Sequence, residues 1–191
     1  MTERLRLALA SFDQANAKDP NKITVAGTEQ PKELIFAERL THAVKELDST
    51  PSEPLLLASR CQHICRWEIP RNSQPMGRAG YLKWRKGLKK FHADTSGKIL
   101  KEVGYSDDII EAVQALNQKK NLQDQDYQTL EDALCIVFLR YQFDDLIKTT
   151  EHEKMINIVR KTWAKMSPNG HALALSISFS AAGKKVIEEA L

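Results

Sequence analysis

Seven prolines cut this chain, and each falls where a helix would begin, end or give way to a loop. Between them, apolar residues recur at helical rather than two-residue spacing, so the chain is confined to helix-on-helix solutions. ALASFDQANAKDPNK opens as a helix and turns at Asp19-Pro20-Asn21; VAGTEQ then reads as a loop. Pro31 suits a first helical turn, and PKELIFAERLTHAVKELD carries a stripe of Leu34, Ala37, Leu40 or Thr41, and Val44. Pro51, Ser52, Glu53 and Pro54 start a second helix, expected to run to about Trp67 and to stop before Pro70. A loop over 68–79 leads to a third helix from about Tyr81 to Val103, with Gly87 and Gly97 inside it.

SDDIIEAVQALNQKK follows as a helix with Ser106 at its N-cap and Asp107 and Asp108 in its first turn. QDYQTLEDALCIVFLRYQFDDLIK is the most apolar segment and reads as one central helix. EKMINIVRKTWAKM is ended by Ser167-Pro168-Asn169-Gly170, and HALALSISFSAAGKKVIEEAL closes the chain as one or two helices. Only ALSISFS alternates, and it also reads as helix. The expectation is an all-α, single-domain bundle of about seven helices spanning residues 1–191. A hydrophobic content of 42% with 28% charged residues fits a soluble globular protein. The N-terminus has no signal-peptide pattern, and no apolar run is long enough to span a membrane. Three cysteines, with Cys61 and Cys65 one helical turn apart and Cys135 remote, form neither a disulfide framework nor a zinc-knuckle spacing, so a reducing, cytoplasmic setting is expected.

The net charge of +3 hides an asymmetry. From Arg60 to His92 there are nine Arg and Lys residues against Glu68 alone, so an anionic partner is expected, although Lys83, Lys86, Lys89 and Lys90 equally suit a solvated helix face. Within this block, Leu56, Ser59/Arg60, His63 and Arg66/Trp67 share one helical stripe; His92 shares another with Leu88, Arg85 and Tyr81. On the central helix, Glu131 and Asp132 directly precede ALCIVFL, where an unpaired carboxylate would be very costly. Converging in a bundle, these groups would suit a phosphate chemistry. His63, His92, Asp132 and Glu131 would hold a divalent metal (Mn, Fe, Zn or Mg), with His63 and Glu131 as catalytic acid and base. Arg60, Arg66, Arg71, Arg78 and Arg85, with Trp67 and Tyr81, would bind a phosphorylated small molecule or nucleotide. The bland alternatives are structural histidines, ion pairs of Arg60 with Glu131 or Asp132, and packing roles for Trp67, Trp84, Trp163 and the cysteines.

The blocks FDQANAKDPN, PKELIFAERLT, ASRCQHICRWEIPR, QPMGRAGYLKWRKGLKKFHA, VGY, QTLEDALCIVFL and VRKTWAKMS, in that order, resemble the uncharacterised family called domain of unknown function 4202 over about residues 10–175. The arrangement is more distantly similar to the HD-domain metal-dependent phosphohydrolases. That resemblance implies an all-α scaffold with ligands from separate helices, here His63, His92 and Asp132, with His42 or Glu38 from the first ligand-bearing helix. The chain departs from that pattern at one point: His63 is followed by Ile64, not Asp. Either Glu131 substitutes, or the pocket binds its anion through arginines without metal. Two other classes stay open. One is an RNA-binding or tRNA-modifying module using the basic block with Trp67, Tyr81 and Trp84. The other is a non-enzymatic interaction protein.

Overall fold

The computed structural model describes residues 2–120 and 124–191. Among them it forms ten α-helices: α1 (Glu3–Asn16), α2 (Lys32–Leu47), α3 (Glu53–Cys61), α4 (Arg78–Glu102), α5 (Asp107–Gln118), α6 (Gln125–Tyr141), α7 (Phe143–Thr149), α8 (His152–Trp163), α9 (Pro168–Leu175) and α10 (Ala181–Ala190). The all-α class is as the periodicity predicts. None of these helices is long and apolar enough to cross a membrane.

The expected loop VAGTEQ is instead part of a hairpin, β1 (Lys22–Val25) against β2 (Thr28–Pro31), with Ile23 opposite Gln30. Ala26 and Gly27 both take positive φ, 48° and 81°, the turn geometry whose twist suits antiparallel strands. The strands are short and largely exposed, so little apolar alternation betrays them. The hairpin has a positioning role. Fully buried Asp19 accepts from the backbone N–H of Asn21 at 2.8 Å and of Glu33 at 3.0 Å. It thereby supplies the cap that Pro31, at the start of α2, cannot.

Two helices end earlier than the spacing suggests. The central segment breaks at Gln142 (φ −126°), and Phe143 turns inward between Phe138 and Phe179, with ring centroids 5.9 and 5.7 Å away. No Pro or Gly in RYQFDDL marks this break; burial of Phe143 decides it. The second predicted helix ends at Cys61, not near Trp67. Residues 62–65 form a turn, Cys65 enters the left-handed region (φ 51°), and single 3₁₀ turns cover Arg66–Glu68 and Arg71–Ser73. A non-glycine residue there is strained and must be held by its surroundings. Buried Asn16 does so, its Oδ1 accepting from the Cys65 N–H at 3.1 Å.

Buried apolar residues form one cluster, with Phe12, Leu40, Leu55, Leu57, Ile136 and Phe143 among its largest members. α3 packs against α1, α2 and α5; α2 lies along α6; α4 lies along α5. Gly97 permits the α4–α5 approach: a Cβ there would stand 2.4 Å from Gln114 Nε2. The turn 62–69, which continues α3, sits beside the α4–α5 pair, with Phe36 of α2 stacked on its His63.

A candidate anion pocket with a buried histidine pair

Three side chains hook the 62–69 backbone in place. Asn16 holds Cys65, His92 Nδ1 donates to Ile64 O at 2.8 Å, and Trp84 Nε1 donates to Ile69 O at 2.9 Å. His92 and Trp84 both belong to α4, two turns apart on its inner face. Between this turn, α4 and α5 lies a cavity of about 210 Å³. Its cationic lining is Arg66, Arg85, Lys89 and Lys119; its neutral lining includes Gln62, His63, Tyr81, Trp84, His92 and Asn117. Arg66 lies over the Trp84 ring at 4.9 Å and Arg85 over Tyr81 at 5.7 Å, so the aromatic faces hold the guanidinium groups.

His63 stands at the mouth, its ring stacked on Phe36 of α2 at 4.1 Å and 5.9 Å from the ring of His92. Its Nδ1 lies 3.4 Å from Glu33 Oε2, and its Nε2 lies 3.4 Å from Arg66 Nη1. With Nδ1–H turned towards the carboxylate, Nε2 is the acceptor that meets the Arg66 guanidinium at the edge of the cavity. Burial lowers the His63 pKa, opposed by the bond to Glu33 and reinforced by Arg66, so the ring is neutral near pH 7. His92 is lowered to about 3, by burial first and then by His63. Lys119, just past the end of α5 with φ 60°, is brought down to about 8 by burial and by Lys165, Lys89 and Arg85. Glu131 of α6 is its ion-pair partner.

The sequence-predicted residues divide clearly. His63, His92, Arg66, Arg85 and Tyr81 are brought together in the cavity, and Glu131 reaches it only through Lys119. Arg60 does not line it: it is paired with Asp13 through two bonds of 2.5 and 2.7 Å, with Glu38 a further 3.7 Å neighbour. The alternative pairing of Arg60, with Glu131 or Asp132, is not the one formed. Arg71 clamps its own loop, donating to the carbonyls of Gln74, Pro75 and Gly77. Arg78 is exposed at the start of α4, and Trp67 packs on the core. Asp132 faces α9, where its oxygens accept from the Ser167 N–H and Oγ–H at 2.9 and 2.5 Å and from Gln128 at 3.0 Å. His42 is exposed, 3.9 Å from Glu46. The expected single stripe through Leu56, Arg60, His63 and Trp67 is broken because His63 lies beyond the end of α3.

A metal would have to draw on His63, His92 and Glu33, the acid that lies beside His63. The donor set fits poorly. Among the described residues no three His, Cys, Asp or Glu side chains gather as a ligand group, and four cationic side chains share the cavity. Sequence reading missed the polar cavity residues Gln62, Asn117 and Lys119, and Glu33 beside His63 in the neighbouring groove. Glu33 was visible only as an acid in the first turn of a helix, and nothing local ties it to His63 thirty residues on.

A second, larger groove of about 650 Å³ lies on the other side of His63 and Arg66, lined by Glu33, Phe36, Arg39, Val137, Phe138, Tyr141 and Leu146 among others. Arg39 lies over the Tyr141 ring at 3.9 Å. His63 and Arg66 are thus a partition with a face in each compartment.

Comparison with curated proteins and with solved structures returns no match to this chain. The family model described as Domain of unknown function (DUF4202) matches residues 6–187, nearly the whole chain, and the protein belongs to that family.

Proposed function

We propose that the cavity binds a phosphorylated small molecule and that His63, held by Glu33, performs acid–base chemistry on it. One observation carries the reading: Arg66, Arg85, Lys89 and Lys119 converge on the same cavity as a neutral, carboxylate-supported histidine. A carboxylate that fixes the tautomer of a histidine whose other nitrogen faces the ligand is the arrangement general-base catalysis needs. In phosphoester hydrolysis, Arg66 would turn to the phosphate, and the Nε2 of His63 that it leaves would take a proton from the attacking water as oxygen bonds to phosphorus. The ester P–O bond breaks, and Lys119 can protonate the leaving oxygen. The arginines would hold the phosphate oxygens in bidentate fashion.

The experiment is a phosphate-release screen over sugar phosphates, nucleoside monophosphates and phosphorylated amino acids, run with EDTA and with added Mn. The metal-independent reading predicts turnover that survives EDTA. It also predicts a fall in kcat of about 10²-fold or more in His63→Gln and a raised KM in Arg85→Ala. Turnover only with Mn would return the site to a metal enzyme. No turnover, together with no binding of any phosphorylated compound, would overturn the proposal.

A second reading has its own support. Lys83, Lys86 and Lys90 lie on the exposed face of α4, away from the cavity. Such a lysine row suits a nucleic-acid backbone, and a salt-dependent tRNA shift at low ionic strength tests it.

A further inference from the structure

The cationic wall of the cavity accounts for an anion, but its floor asks for something else. His92 is 4% exposed and lines the cavity. Its Nδ1 hydrogen is committed to Ile64 O, so Nε2 carries a bare lone pair, and no partner meets it. Asn117 is 1% exposed and lines the same cavity, with its Oδ1 equally unpartnered.

The orientation of the Asn117 amide is fixed by its neighbours. Its Nδ2 faces Cys61 Sγ at 3.2 Å and Ser96 Oγ at 3.5 Å. Both of those groups already donate their own hydrogens, Cys61 to Ala58 O and Ser96 to Ala93 O. With their hydrogens so placed they accept from Asn117, which sets the amide nitrogen towards them and the oxygen away. Two residues that line the cavity therefore carry buried acceptors with no donor to satisfy them. Folded proteins rarely leave such groups unpaired.

We propose that the ligand of this cavity is a phosphorylated polyol of the sugar-phosphate class: its hydroxyls donate to His92 Nε2 and Asn117 Oδ1 while its phosphate sits against Arg66, Arg85, Lys89 and Lys119. The inference rests on the proposed anion pocket and adds the identity of the ligand's other end. Neutral hydroxyls fit the floor better than an ammonium group or a metal ion, because four cationic side chains line the same space.

Calorimetric titration of the full chain with inorganic phosphate, glycerol 3-phosphate, ribose 5-phosphate, glucose 6-phosphate and AMP tests this. The expected result is at least one polyol phosphate binding tenfold or more tighter than inorganic phosphate and tighter than AMP. In Asn117→Leu that advantage should fall at least fivefold, with phosphate affinity unchanged within twofold. If Asn117→Leu does not fold, the comparison of ligands on the unaltered protein decides alone. Inorganic phosphate binding as well as every polyol phosphate, with the affinity lost in Arg85→Ala, would overturn the inference and leave the anion pocket standing, the floor being satisfied by water. AMP binding tightest would replace the polyol with a nucleotide. No binding by any of the five would bring down the anion pocket itself.

Discussion

Acid should destabilise this protein through His92, and the size of the effect follows from the site. The folded state holds His92 neutral, with a pKa of about 3 against an ordinary 6.5, because burial and the neighbouring His63 disfavour the imidazolium. The unfolded chain takes up a proton near pH 6.5 that the folded chain refuses until far lower. Stability from this group is therefore fully present above about pH 6.5 and is lost as pH falls towards 3. At pH 5 the deficit is 1.5 pH units below the unfolded pKa, or about 2 kcal/mol at 1.36 kcal/mol per unit; His63, lowered in the same direction, adds to it. Urea unfolding at pH 7, 6 and 5 measures the loss, and His92→Gln, which has no titrating group, should lose about 2 kcal/mol less than the unaltered protein over that range. Nitrogen-15 NMR of the imidazoles would show His92 still neutral, with its proton on Nδ1, at pH 5. Equal pH slopes for the two proteins, or a protonated His92 at pH 6, would show that His92 is not the group that destabilises the fold in acid.

Other perturbations separate scaffold from site. Arg60→Ala removes the paired bonds to Asp13 and should reduce unfolding free energy by about 2 kcal/mol while leaving ligand affinity unchanged within twofold by calorimetry. Gly170→Ala puts a Cβ 2.6 Å from Asp132 Cγ and should cost roughly 1–3 kcal/mol in urea unfolding; Gly87→Ala meets no atom within 4 Å and should be stabilising by about 0.5–1 kcal/mol. Cys61 and Cys65, pushed up to about 11 chiefly by burial, should resist a thiol reagent at pH 8 in the folded protein and react promptly in 6 M urea.

How much of this was legible beforehand depended on whether the deciding contact was local. The all-α class and the long helix over 78–102 follow from apolar spacing within one segment. His63, His92, Arg66, Arg85 and Tyr81 stood out because each lies on or beside an apolar stripe in the basic block, and they do share a cavity. The end of α3 was misplaced because Asn16, forty-nine residues away from Cys65, holds that residue in the left-handed region. Asp132 looked like a ligand only until its partner at Ser167 was known: a buried carboxylate needs donors, and the start of α9 provides them. Glu33 reaches His63 through the placement of α2 by Asp19 and the hairpin, a chain of contacts no single window contains.

The proposed chemistry stands or falls with a phosphorylated compound binding in the space between residues 62–69, α4 and α5. Its most direct measurement is an NMR titration of the protein, labelled at histidine and at the tryptophan indole, with ribose 5-phosphate at fixed pH and ionic strength. A ligand held there produces saturable shifts at His63, His92 and the Trp84 indole, absent in Arg85→Ala and unaccompanied by shifts at His152 or Trp163. Shifts at none of the three, or shifts of the same size at His152 and Trp163, would contradict it.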